Sequence, residues 1–233
     1  MSQVVTVFRK EWLELVGDWR SFRGAVIQGA IVVLLTGVFI PAVSKNGVFT
    51  DFSETLIFYL VFPSVIAATA AADAFAGERE RRTLETLLAT PLSDRAIFGG
   101  KVAAAMIFAT MVAAISVVCS AVIAVRRGQI DEMANMLQIC VALVGGALGS
   151  AFITSALSVT ISMYVLSARS AQQMASVLSF LVVWVAVLGM RSTKAKLTVG
   201  TLLISDFVLL AVGFIALAMS MKLFTRQRFF EKR

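Results

Sequence analysis

Apolar residues fill six long stretches of the chain almost without interruption, and charged residues are confined to the segments between them. The charge-free runs are Gly24 to Ser44, Thr55 to Ala72, Val102 to Val125, Met133 to Ala168 and Ser170 to Met190, and the run from Leu197 to Met221 is broken only by Asp206. Most are long enough for a helix to cross a hydrocarbon layer of about 30 Å, which takes roughly 20 residues. Lipid offers no hydrogen bonds to a backbone, so the runs predict helices, and the alternating pattern of a membrane barrel is absent. The fourth run has 36 residues and could hold a hairpin turning at "GGALGS". Two halves of about 18 residues would each be marginal spans, so one long, tilted helix with interfacial ends is expected. The fold class predicted is an all-α membrane protein with six transmembrane helices, a single transmembrane domain over residues 1–233. Spans one and two occupy 24–76, a polar segment follows at 77–98, and spans three to six with a basic tail occupy 99–233.

Ahead of the first span, Val5, Phe8, Trp12, Leu15, Val16, Trp19 and Phe22 recur at three- and four-residue steps, with Arg9, Lys10, Glu14, Asp18 and Arg20 mostly between them. The pattern predicts, over residues 1–23, an amphipathic helix lying in the membrane surface with its tryptophans at headgroup depth. Such a helix would anchor the first span or brace a moving bundle. The loops Lys45 to Glu54, Arg126 to Glu132 and Arg191 to Lys196 are too short for an extramembrane domain, which needs about 50 residues to build a core. Gly145, Gly146 and Gly149 give a small-xxx-small spacing suited either to packing inside the chain or to a dimer face.

Composition agrees with the pattern: 59% of residues are hydrophobic, 15% are charged and the mean hydropathy is +0.89. With six spans, 15 of the 21 Lys and Arg residues fall on the side that holds both termini. The positive-inside rule therefore predicts a multi-pass protein of the cytoplasmic (inner) membrane with both termini in the cytoplasm. Topology and anionic lipid headgroups account for the net charge of +7, so no nucleic-acid partner is expected. Cys119 and Cys140 fall inside apolar runs and read as small core residues, not as a disulfide. The chain has no His, which removes the commonest metal ligand and general base. No catalytic, metal or cofactor-binding residue is expected in this chain. The first 23 residues are mixed in charge and lack an uninterrupted apolar core, so no cleavable signal peptide is expected.

One segment departs from this simple division. In "GERERRTLETLLATPLSD", Gly77 to Asp94, the acids Glu78, Glu80, Glu85 and Asp94 are interleaved with Arg79, Arg81 and Arg82. The stretch is expected to stay helical to Thr90, where Pro91 ends it, and Ser93 is the expected N-cap of the third span. On that helix Leu84, Leu87 and Leu88 share a face, and Glu78 and Arg82 stand four apart in the favourable order for an ion pair. A leucine face turned to the cytosol needs cover from headgroups, from neighbouring helix ends or from another protein with an apolar groove. The mixed signs favour a protein, because a helix meant only for anionic lipid carries a mostly basic polar face.

"ERERRTLETLLATPLS" resembles the cytoplasmic loop of the ABC type 2 transporter permeases, in which an acidic-basic-acidic start leads to Thr-Leu-Glu, two leucines, and Ser or Thr before Pro. Glu78, Arg79, Glu80, Thr83, Leu84, Glu85, Leu87, Leu88, Thr90 and Pro91 match that pattern, and Arg82 stands where the family often has Gly. The likeness extends to the layout, with "RKEW" in an N-terminal interfacial helix, six spans and the loop between spans two and three. It implies that the loop is a coupling helix seated in a separate cytoplasmic ABC ATPase. Glu78, Glu80, Arg81, Arg82, Thr83, Leu84, Glu85, Leu87, Leu88, Thr90 and Pro91 would then be the coupling residues. It further implies a second permease copy or paralogue as partner, with ATP and Mg²⁺ held by the ATPase. The chain itself has no G-x-x-x-x-G-K-[ST] phosphate loop, "GGKV" at Gly99 to Val102 having neither the spacing nor the hydroxyl.

Two acids form a candidate intramembrane polar site: Asp73 near the cytoplasmic end of span two, expected to reach the aqueous edge, and Asp206 nearer the middle of span six. Asp206 reads equally as a helix partner, a protonated group or part of a pathway. Ser150, Thr154, Ser155, Ser158 and Ser162 either line a route or bond back to helix carbonyls, the latter being usual. The function expected is the permease subunit of an ATP-driven exporter. The competing readings are a non-transporting membrane scaffold or sensor and a lipid-acting membrane enzyme, the second lacking any clustered acid and base.

Overall fold

The structure, a computed structural model, describes residues 3–17, 19–44, 52–83, 86–87, 89–128, 133–165, 167–192 and 199–223. Helix α1 covers Gln3–Gly17 and α2 covers Trp19–Val32, continuing through a π-helical segment, Val33–Phe39, into the short α3, Ile40–Val43. The longer helices are α4 (Phe52–Glu80), α5 (Asp94–Arg126), α6 (Met133–Tyr164), α7 (Ala168–Ser192) and α8 (Val199–Leu223). Six helical stretches among the described residues are long and apolar enough to cross a membrane, from Val26–Val43 to Gly200–Lys222. The expected all-α membrane architecture is present, with no strand among the described residues. The fourth apolar run forms one unbroken helix of 32 residues. At 1.5 Å per residue it is about 48 Å long and overreaches the hydrocarbon layer, and no hairpin forms at its glycines.

Helices α4 and α6 make the middle of the bundle. Helix α4 packs on α5, α6 and α7, and α6 receives α8 on its other side. The α6–α8 seam is built from exchanged glycines. A Cβ on Gly149 would lie 2.8 Å from Leu209 Cβ, and one on Gly213 would lie 2.5 Å from the Phe152 ring. Each helix thus presses a side chain into the other's bare backbone, and the small-residue spacing serves packing inside the chain. The hydroxyl stripe of α6 is buried within the chain. Ser155 and Ser162 bond back to their own helix, while Ser150 and Thr154 also donate across to the Leu60 and Ser64 carbonyls of α4.

The π-helical segment has a local chemical cause. The Ile40 amide bonds to the Leu35 carbonyl, and Pro41 has no N–H to offer, so the Thr36 carbonyl is left without a helical donor. Tyr59 donates its hydroxyl to that carbonyl at 3.0 Å and Ser120 donates at 3.2 Å, all within a buried knot where the two hydroxyls also touch. Tyr59→Phe is expected to cost about 1 kcal/mol, because Ser120 still covers the carbonyl. Tyr59→Phe with Ser120→Ala should cost more than the sum of the single changes, measured by thermal unfolding of the purified chain.

Candidate functional site

The end of the bundle that gathers α1, residues 81–93 and the α6–α7 junction is here termed the basal end. Its loop does not run helical to Thr90 as the sequence suggests. Helix α4 stops at Glu80, and the Thr83 amide reaches back to the Glu78 carbonyl at 2.9 Å while the Arg82 amide bonds to the Arg79 carbonyl at 3.1 Å. This paired closure requires a left-handed residue between them, and Arg82 supplies it with φ of 58°. A non-glycine residue there is strained by roughly 1–2 kcal/mol. A second turn follows, with the Leu87 amide bonded to the Thr83 carbonyl and the Thr90 amide to Leu87, before Ser93 caps α5 by accepting from the Ala96 amide at 3.3 Å.

The expected leucine face is also revised. Leu87 is 8% exposed and joins the core of Val7, Phe98 and Ile97, so it is directed into the chain and not outward. Leu84, Glu85 and Leu88 lie outside the described residues. Arg82, Thr83, Thr86 and Pro91 are exposed, and Thr90 is half-buried with its hydroxyl on the Leu87 carbonyl.

The alternating charges that open the loop are used within the chain. Arg79 donates to the carbonyls of Val165 at 2.7 Å and Met163 at 2.9 Å, capping the end of α6. Glu80 accepts from the Ala168 amide at 2.8 Å, where a carboxylate suits the positive end of α7. Arg81 pairs with Asp73, about two turns back along α4, at 3.6 Å, an exposed contact worth little on its own. The Asp73 side chain is 39% exposed there. The expected Glu78–Arg82 pair is replaced, because the left-handed turn at Arg82 carries the chain off the helix axis.

Glu78 turns inward instead, 6% exposed, and is the hub of a buried ionic network joining α1, α4 and α5. Its Oε1 accepts from Lys10 at 2.9 Å and lies 3.0 Å from the Lys101 ammonium, which also donates to Glu11 at 2.8 Å. The Lys101 side chain is fully enclosed and stands over the Phe75 ring at 5.1 Å. Burial opposes the charge on Lys10, but the Glu78 hydrogen bond, with Glu11 and Glu14, outweighs it and holds the ammonium above the usual lysine range. Its contribution is thus complete at neutral pH and fades only as pH rises through that raised value. Carboxylate oxygens of Glu11, Glu14 and Glu78 lie within 4.8 Å of one another, a spacing suited to a metal ion. Both lysine ammoniums already occupy that space, so the cluster works as an ion-pair network.

Sequence reasoning missed Glu11, Lys101 and Val7. Helix α1 turns Val7 and Glu11 to the protein, whereas Val5 is exposed and Phe8 stacks on Trp12 at 5.9 Å along the expected apolar stripe. Val7 approaches α5 so closely that a Cβ on Gly100 would fall 2.7 Å from its side chain, and Gln3 accepts from the Ser93 amide. Asp206 is not brought to this site. It faces Gly145 of α6, which is about 28 Å along that helix from Tyr164 at 1.5 Å per residue.

The family model described as ABC-2 family transporter protein matches residues 40–211, which takes in the basal loop and leaves α1 outside. No curated protein matches the chain.

Proposed function

Because the chain belongs to the ABC-2 family of transporter proteins, we propose that it is the membrane subunit of an ATP-driven exporter whose basal loop docks on a separate cytoplasmic ATPase. The observation that carries this reading is the treatment of the loop: Glu78, Arg79 and Glu80 tie its root to four other helices, α1, α5, α6 and α7. Its tip, with Thr86 and Pro91, stays exposed. A push on the tip is then transmitted to α1, α4, α5, α6 and α7 together, which is what a coupling element must do. ATP and Mg²⁺ belong to the partner, since the sequence has no phosphate-binding loop of its own. One chain offers one such loop, so a working assembly takes a second copy or a paralogue. The surplus of Lys and Arg at the basal end supports a cytoplasmic position for that end and both termini, in an inner membrane. Export as the direction rests on family likeness.

Leu84→Asp and Glu85→Arg are expected to leave the chain inserted and folded while weakening the ATPase complex by about tenfold or more, the loss expected when one central contact is spoiled. Transport and ATP turnover of the reconstituted complex give the readout. Unchanged ATP-dependent transport in both variants would refute the coupling role.

A further inference from the structure

We propose that Asp206, seated in the glycine notch of α6, is a binding site for the primary ammonium group of a cationic amphiphile entering from the lipid. Helix α8 turns Asp206 inward to 9% exposure, while its neighbours Leu203 and Phe207 stand 48% and 75% exposed on the outer surface of the bundle. The carboxylate rests directly on two glycines. A Cβ added at Gly145 would lie 2.6 Å from Oδ2, and one at Gly146 would lie 3.0 Å from Oδ1 and 2.9 Å from Leu60. The notch therefore exists only because both positions lack a side chain.

Asp206 has no hydrogen-bond or ion-pair partner among the described residues. The other buried acids differ: Glu11 and Glu78 each hold lysine ammoniums. A carboxylate enclosed in a membrane span without a counter-charge is costly, and a cation supplied from outside the chain removes that cost. The surroundings select the kind of cation. A metal ion takes about six oxygen ligands, whereas this notch offers one carboxylate beside glycine backbone and the side chain of Leu60. A primary ammonium needs one strong acceptor and carries an apolar tail that matches Leu60 and the lipid beyond it.

That the amphiphile is cargo rests on the transporter reading, but its binding needs no ATPase, so the test can fail while that reading stands. The full chain is purified into phosphatidylcholine nanodiscs and titrated with radiolabelled dodecylammonium. Saturable binding is expected, weakened at least about tenfold, or roughly 1.4 kcal/mol, by Asp206→Asn. Gly145→Ala, whose methyl group displaces the carboxylate, is expected to weaken it as well. Asp206→Asn conserves volume and removes a buried charge, so its thermal unfolding temperature should not fall below that of the natural chain. Absence of saturable binding, equal binding by Asp206→Asn, or displacement by sodium or potassium ions at matched concentration would overturn the proposal.

Discussion

Lys101→Met is expected to lower the stability of the purified chain by about 3–5 kcal/mol, the usual cost of removing one partner from a buried ion pair. Methionine fits the volume, so the loss is electrostatic. Lys101 is the enclosed member of the network, bonded to Glu11 at 2.8 Å and lying 3.0 Å from Glu78. Without it those acids, both at most 9% exposed, keep only the half-exposed Lys10 among the described residues. The destabilised element is α1, whose hold on α5 otherwise rests on Val7 against Gly100 and on Gln3 at Ser93. Thermal unfolding should show the drop, and limited proteolysis should cut near Gly17 in the variant. Adding Glu11→Gln and Glu78→Gln should recover much of the loss, because the orphaned charges disappear with their partner. A drop below about 1 kcal/mol, the range of exposed pairs, would mean that the network is solvated and holds nothing.

Arg79→Ala is expected to cost about 2 kcal/mol in stability and, in the reconstituted complex, to separate ATP hydrolysis from transport. The guanidinium joins the end of α4 to the carbonyls of Met163 and Val165, and the adjacent Glu80 holds the first turn of α7. Those contacts make three helix ends move as one body. With Arg79 gone, a displacement of the basal loop reaches α4 and α5 but is lost before α6 and α7. Arg79→Lys should fail to rescue, since an ammonium is a point charge without the planar fork that reaches two carbonyls at once. Transport counted per ATP hydrolysed distinguishes this from a merely structural defect: the ratio falls for the coupling role and stays constant for simple instability. Full coupling in Arg79→Lys would contradict the geometric argument.

The parts of the fold legible in the sequence are those with one physical solution. An apolar run of span length in lipid has to be a helix, and Ser93 two residues after Pro91 has to start one. The parts that escaped depend on partners far away in sequence. Glu11 and Lys101 are separated by 90 positions, and each read separately is an ordinary charge outside an apolar run. The hint was available in Lys101, which falls about two turns inside the third helix once Ser93 is its cap. On α1 the apolar periodicity marked the outer stripe and hid the inner one, because the face that docks mixes Val7 with Glu11. The break at Arg82 runs against residue preference, since arginine favours the helix that its own left-handed conformation ends. The π-helical segment needs Pro41, Tyr59 and Ser120 acting on one carbonyl, and no local pattern reports that convergence.

The coupling role of the basal loop is tested most directly by replacing the exposed Thr86 with a photo-crosslinking residue and irradiating native membranes. The account predicts a covalent product with a cytoplasmic protein that binds ATP, formed in lower yield when Leu84→Asp is also present. Reaction of residue 86 with a membrane-impermeant reagent applied from outside the cell, or the absence of any ATP-binding partner from the crosslinked products, would contradict it.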